Sequence, residues 1–90
     1  MAKRRKGYGS ISIKTCPREG MRVVVNANST SRRLYSGGIP PNGTVGTVQK
    51  MNLGSRRSTC LRGPGGGLVY VKFASGLFTG ISSIDLDKAR

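Results

Sequence analysis

Basic residues gathered in short clusters are the chemically most informative feature of this sequence. The clusters occupy residues 3–6 (Lys-Arg-Arg-Lys), 32–33 (Arg-Arg) and 56–57 (Arg-Arg), and tyrosines stand near two of them, at Tyr8 and Tyr35. Guanidinium groups bind phosphate in a bidentate geometry and stack on bases, and a tyrosine ring supplies a further stacking surface. The combination predicts contact with a nucleic acid.

The charge balance favours the same partner. The chain has 16 Lys and Arg against 3 Asp and Glu, a formal net charge of +13. Such a charge repels itself, so it favours a polyanion or an acidic protein as partner, and nucleic acid is the commonest polyanion. A solvated charge run that keeps the protein soluble would explain any one cluster, but three clusters of one sign favour binding.

Catalytic chemistry finds little support in the residue types. The chain has no His, and two of its three acids, Asp85 and Asp87, stand together near the C-terminus. Nothing resembles a nucleophile with a positioned base, so we expect a protein that is not an enzyme, without metal or cofactor.

Glycines at residues 63–67 (Gly-Pro-Gly-Gly-Gly) could bind an anion through backbone N–H groups. They lack a following Gly-Lys-Ser/Thr, so a flexible turn is the favoured interpretation, although Arg62 stands beside them.

The cysteines and the N-terminus bear on the cellular compartment. Cys16 and Cys60 form neither a Cys-x-x-Cys pair nor, without His, a zinc set. One disulfide is possible, but two thiols are expected in a reducing compartment. The basic N-terminus is followed by no apolar core typical of a secretory signal, which predicts a location in the cytoplasm or nucleoplasm. Association with the nucleoid or the ribosome would be compatible with a cytoplasmic location. No long apolar run or basic amphipathic helix points to a membrane.

The elements that must position these residues are short strands. Ninety residues make one domain, and 14 glycines favour strands joined by turns over packed helices. The sequence predicts a flexible basic arm over residues 1–9 and a single all-β domain over 10–90. Strands are predicted at residues 10–14, 21–27, 44–51, 68–74 and 77–82, with a helical turn and a last short strand over 83–89. Long Arg-bearing loops are predicted at 28–43, which we expect to project, and at 52–67, where 58–61 could add a brief strand.

Two glycines interrupt the third of these strands. In Gly-Thr-Val-Gly-Thr-Val, residues 43–48, Val45 and Val48 would face opposite sides of a regular strand. An extra residue near Gly46 would return both valines to the core, which predicts a β-bulge and a sharp bend of the kind that small barrels require. The alternative is an edge strand weakened by glycine, with no barrel.

Period-2 alternation predicts which residues are buried. On the strand at 68–74, Tyr70 and Lys72 are expected to face outward and to extend a binding surface. The predicted core consists of Val23, Val25, Val45, Val48, Val69, Val71, Phe73, Ile81, Ile84 and Leu86.

The order of these segments resembles a known family. Glu-Gly-Met-Arg-Val-Val-Val (19–25), Asn-Gly-Thr-Val-Gly-Thr-Val-Gln-Lys-Met (42–51), the strands at 68–74 and 77–82, and Ser-Ser-Ile-Asp-Leu (82–86) look like an SH3-like small barrel of the KOW type, found in ribosomal and transcription-associated proteins. The resemblance covers residues 19–86 and implies a barrel of five to six strands. In such a barrel, the loops carrying residues 32–33 and 56–57 are expected to converge on one side.

These observations lead to two functional hypotheses. The first is a non-enzymatic, sequence-tolerant nucleic-acid-binding protein, with DNA and RNA undecided and a structural ribosomal protein as a special case. The second is an SH3-like protein-interaction module, such as a phage- or virus-encoded factor, that docks on an acidic surface of a host protein. The oligomeric state is left open. The predicted nucleic-acid-binding residues are Lys3, Arg4, Arg5, Lys6, Tyr8, Arg32, Arg33, Tyr35, Lys50, Arg56, Arg57, Arg62 and Lys72.

Overall fold

The described part of the chain is mostly β-strand, arranged in antiparallel sheets. The structure, a computed structural model, describes residues 11, 15–63 and 66–89. The strands are β1 (Arg22–Val25), β2 (Val45–Val48), β3 (Met51–Leu53), β4 (Arg56–Ser58), β5 (Cys60–Gly63), β6 (Gly66–Phe73), β7 (Phe78–Ser82) and β8 (Leu86–Lys88). A short helix, α1 (Ser29–Arg32), follows β1, and a 3-10 helix, Ser83–Asp85, joins β7 to β8. This content agrees with the predicted all-β class, and the helical turn before the last strand is confirmed. Among the described residues, no helix is long and apolar enough to cross a membrane.

The eight-residue strand β6 organises the larger sheet. Its first residues pair with β5 and its last residues pair with β2, so these two strands share one edge of β6. Strand β7 pairs along the other edge. The sheet continues from β2 to β1 and then to β8, while β3 and β4 form a separate two-stranded hairpin.

The core is built from inward-facing residues of these strands. Eight of the predicted core residues are buried: Val23, Val25, Val48, Val69, Val71, Phe73, Ile81 and Leu86. Two predictions were wrong, because Val45 is 37% exposed and Ile84 is 47% exposed. Tyr70 lies on the predicted outward face of β6 yet is only 6% exposed. The predicted orientation of its side chain is confirmed, and the prediction that it is exposed was wrong.

Glycine is required at position 46 because a larger side chain would not fit there, and not because the strand bends at this residue. Gly46 lies in unbroken register opposite Val23 on one side and Phe73 on the other, so the predicted β-bulge is absent. In this register Gly46 and Val48 face the core and Val45 faces outward, which explains the exposure of Val45. A Cβ atom on Gly46 would lie 2.5 Å from Val71 Cγ1 and 2.8 Å from Phe73 Cε1. Glycine therefore leaves room for the phenylalanine ring across the strand pair.

Several predicted boundaries differ from the structure. The strand predicted over 44–51 is divided between β2 and β3, and the long loop predicted over 52–67 contains the β3–β4 hairpin and β5. Gly54, with φ +69°, makes the tight turn of that hairpin. Ile11 lies outside any strand, and the rest of the strand predicted at 10–14, like the arm over 1–9, lies outside the described residues.

A disulfide fastens the segment before β1 to the sheet. Cys16 and Cys60 are bonded, with a Cα–Cα distance of 5.5 Å, so the expectation of two thiols was wrong. The neighbouring backbone holds the segment in place, because Gly20 N–H donates to the Val48 carbonyl at 2.8 Å and Thr59 Oγ1 donates to the Pro17 carbonyl. The packing of residues 16–20 against the sheet brings the two sulfur atoms together, which the spacing in the sequence does not reveal.

The packing around Gly46 predicts a large effect of adding one methyl group. Gly46→Ala should lower the free energy of unfolding by about 1–3 kcal/mol, because the new Cβ overlaps Val71 and Phe73 in a close-packed core. Urea unfolding followed by circular dichroism measures the change. Gly37→Ala is the matched control, since a Cβ there meets nothing within 4 Å and the backbone is not left-handed. Equal stability of the two variants would contradict the packing described for Gly46.

Reduction of the disulfide should destabilise the fold by about 2–4 kcal/mol, because the bond closes a long loop and restricts the unfolded chain. Comparing urea unfolding midpoints with and without a thiol reductant measures this loss. The Cys16→Ser variant is the control, since its midpoint should not respond to the reductant. A wild-type protein that is fully reduced by thiol titration and keeps its midpoint would contradict the expectation.

Candidate anion-binding groove

Three polar side chains stand side by side on the outward face of the larger sheet. Val23 and Val25 face the core, so Arg22 faces outward from β1, where it lies opposite Thr47 of β2. Thr47 in turn lies opposite Lys72 of β6. Adjacent strands are about 4.8 Å apart, so the arginine and the lysine are separated by about 10 Å along the sheet, with the threonine between them.

These side chains line an open groove of about 600 Å³. Gln49 adds a second neutral polar group, and the exposed residues Val45 and Ala74 contribute apolar surface. None of the described residues that line the groove is acidic. The groove therefore offers positive charge and hydroxyl and amide hydrogen-bonding groups to an anion, and its described lining carries no carboxylate.

Cations of this kind are suited to phosphate. An arginine fork donates two parallel hydrogen bonds to phosphate oxygens, and a lysine adds a compact positive charge. Arg22 and Lys72 are both exposed, so they reach a ligand without desolvation of a buried charge. Their attraction to an anion is screened by salt, because both groups lie in water.

The acidic residues do little to neutralise the surface. Asp85 is 1% exposed and accepts a hydrogen bond from the Tyr35 hydroxyl at 2.7 Å. Asp87 is half-buried and accepts a hydrogen bond from Asn26 Nδ2 at 2.9 Å. Of the three carboxylates in the chain, Glu19 alone is exposed, in the turn before β1. Among the described residues, nine cations are exposed and one acidic side chain is exposed, so the described surface is strongly positive.

Tyr35, predicted as a stacking residue, is held inside its own loop. Its hydroxyl donates to Asp85 Oδ2 and accepts from Ser82 N–H at 2.9 Å, and its ring packs against the core. Burial and the hydrogen bond to Asp85 raise the pKa of Tyr35 to about 12. The tyrosine links the long connection between β1 and β2 to the 3-10 helix, so this connection folds back rather than projecting as predicted.

The arginine pair of this connection is divided between two environments. Arg32 donates to the Pro40 carbonyl at 2.8 Å and to Asn42 Oδ1 at 2.9 Å, which closes the loop around its side chain. Arg33 caps the C-terminus of α1, and its side chain is exposed. Asn28, the N-cap of α1, accepts from Ser31 N–H at 2.8 Å and fixes the start of this helix. Arg32 thus has a structural role that the sequence did not indicate.

The other predicted binding residues lie on separate elements. Arg56 and Arg57 are exposed on β4 rather than in a loop, and as successive strand residues they point to opposite faces of the β3–β4 hairpin. Lys50 is exposed between β2 and β3, and Arg62 is exposed on β5. Lys3, Arg4, Arg5, Lys6 and Tyr8 lie outside the described residues.

Among the predicted binding residues, Lys72 lines the groove, and it lies there with Arg22, which was not predicted. Arg22 could have been found from its alternation with Val23 and Val25, which placed it on the outward face. Its proximity to Lys72 depends on the order of strands in the sheet, and that order is not readable from a local pattern.

Comparisons with protein-family models, with characterised proteins and with solved structures find no match for this chain. No residue role is therefore inherited from a relative. The assignment of a function rests on the surface of the molecule itself.

The hydrogen bonds of Tyr35 predict how stability depends on pH. Tyr35→Phe should lower the free energy of unfolding by about 1–3 kcal/mol near neutral pH, because Ser82 N–H and the Asp85 carboxylate lose a buried partner. Folded Tyr35 holds its proton up to about pH 12, whereas an unfolded tyrosine releases it near pH 10. The raised pKa therefore means that the wild-type advantage is complete below about pH 10 and shrinks as the pH rises toward 12.

Urea unfolding of the wild-type protein and Tyr35→Phe at a series of pH values measures this difference. Subtracting one profile from the other removes the contribution of the remaining titrating groups. A difference that stays constant up to about pH 12 would contradict the raised pKa.

Proposed function

We propose that this protein is a non-enzymatic nucleic-acid-binding protein whose groove contacts the phosphate backbone. The observation that carries the proposal is the alignment of Arg22, Thr47 and Lys72 on three neighbouring strands, in a groove without described acidic residues. A net charge of +13 adds a long-range attraction for a polyanion. Phosphate is common to every sequence, so binding is sequence-tolerant and strongly dependent on salt, and both DNA and RNA qualify as ligands.

We propose further that the larger sheet is rolled into a small SH3-like barrel. Strands β7 and β8 lie at the two ends of the path β7–β6–β2–β1–β8, which would span about 19 Å in a flat sheet. They are joined by the 3-10 helix Ser83–Asp85, and three or four residues of 3-10 helix reach only about 6–8 Å. The short connection supports strong curling of the sheet, and in such a barrel Arg22, Thr47 and Lys72 would lie on the outer surface.

Charge reversal in the groove tests the proposed function. Arg22→Glu combined with Lys72→Glu should weaken binding of a labelled oligonucleotide about tenfold or more, as measured by fluorescence anisotropy. Log affinity should also depend less steeply on log salt, by about 0.7 per lost phosphate contact for a single strand and about 0.9 for a duplex. Both residues are exposed, so the melting temperature should change little.

A second variant with the same change in net charge distinguishes binding in the groove from the non-specific attraction of the protein's net positive charge. Arg33→Glu combined with Lys50→Glu alters two exposed cations outside the groove and should weaken binding less. Equal losses in the two variants would remove the groove as the binding site. A wild-type protein that binds no oligonucleotide at low salt would overturn the proposed function and favour an acidic protein partner.

A further inference from the structure

An exposed aromatic ring continues the polar row of the groove onto the next strand. Phe78 of β7 lies directly opposite Lys72 of β6. Ile81 of the same strand is completely buried, so alternation places Phe78 on the outward face with the lysine. Phe78 is 40% exposed at the start of β7, so an apolar ring is accessible to solvent beside the lysine.

The Phe78 ring packs against the buried ring of Tyr70. Its centroid is 6.5 Å from that of Tyr70, with the ring planes inclined at 56°. Tyr70 is 6% exposed, so the phenylalanine rests on a side chain that is itself fixed by packing. A ring held in this way loses little conformational freedom when a ligand covers its remaining surface.

The row Arg22, Thr47, Lys72 and Phe78 crosses four neighbouring strands, β1, β2, β6 and β7. It measures about 14 Å from end to end at 4.8 Å per strand. Cations at one end and a flat apolar ring at the other match a ligand that carries phosphates along its backbone and planar bases beside them. In a duplex the bases are stacked inside, where this ring does not reach them.

We infer that the outward face of the sheet binds single-stranded nucleic acid, with a base stacked on Phe78 and adjacent phosphates held by Lys72 and Arg22. The inference rests on the proposed function and deepens it, because phosphate contacts alone do not distinguish single strands from duplexes. Stacking on an aromatic side chain tolerates any base, so it adds affinity for single strands without sequence preference.

The absence of tryptophan from the chain allows a direct test of stacking. The Phe78→Trp variant places one indole at the proposed contact, and base stacking should quench its emission when a single-stranded oligonucleotide of about 12 nucleotides is added. Oligo-dT and oligo-U serve as the DNA and RNA probes. Leu34→Trp is the control, since Leu34 is 80% exposed and lies outside the row, and its emission should not change.

Affinity measurements with Phe78→Leu complete the test. Leucine keeps an apolar side chain against Tyr70 but removes the aromatic face, so affinity for the single strand should fall roughly 5- to 150-fold. The salt dependence should not change, because no charge is lost, and affinity for a duplex of the same length should be retained. A melting curve confirms that the variant is folded.

The possible outcomes distinguish this inference from the proposed function. If wild-type protein binds neither single strands nor duplexes, the proposed function fails and the inference fails with it. If wild-type protein binds but saturating single strand leaves the indole emission of Phe78→Trp unchanged, the proposed function stands and stacking is refuted. Equal weakening of single-strand and duplex binding by Phe78→Leu would also overturn the inference.

Discussion

The alternation of side chains along β6 is the constraint on which the rest of the structure depends. Val69, Val71 and Phe73 face one side and form the centre of the core, which obliges Tyr70 and Lys72 to face the other. Because β6 pairs with β5, β2 and β7, its register sets the register of those three strands. A shift by one residue would turn the valines outward and bury the lysine. The same strand therefore organises both the interior and the candidate binding surface.

The distribution of charged residues is related to the small size of the hydrophobic core. Only 36% of its residues are hydrophobic, and the core is a single cluster made largely of valines. Two of the three acidic residues take part in hydrogen bonds that hold the connections between strands, while the exposed cations remain at the surface. The repulsion among these cations opposes folding, and the Cys16–Cys60 bond offsets part of it by restricting the unfolded chain.

The sequence predicted those features that depend on local pattern. The local pattern of apolar and polar residues identified eight buried core residues correctly, and it indicated the helical turn before β8. It failed at Gly46, where the need for a glycine comes from Phe73 on a neighbouring strand. It failed likewise at Arg32, whose acceptors lie eight and ten residues away, and at the cysteines, which meet through folding of a separate segment. The groove was not predicted as a unit because Arg22 and Lys72 become neighbours only through β2.

The Cys16–Cys60 disulfide divides the residues of the candidate binding surface between two parts of the chain. Arg22 and Thr47 lie within the covalent ring closed by Cys16 and Cys60, whereas Lys72 and Phe78 lie beyond it. A protease that cuts an exposed connection inside this ring, such as the turn at Gly54, would not release a fragment, because the sulfur bridge still joins the two pieces. Such a nicked molecule would migrate as one species on a gel until it is reduced, and its strands would stay beside their partners.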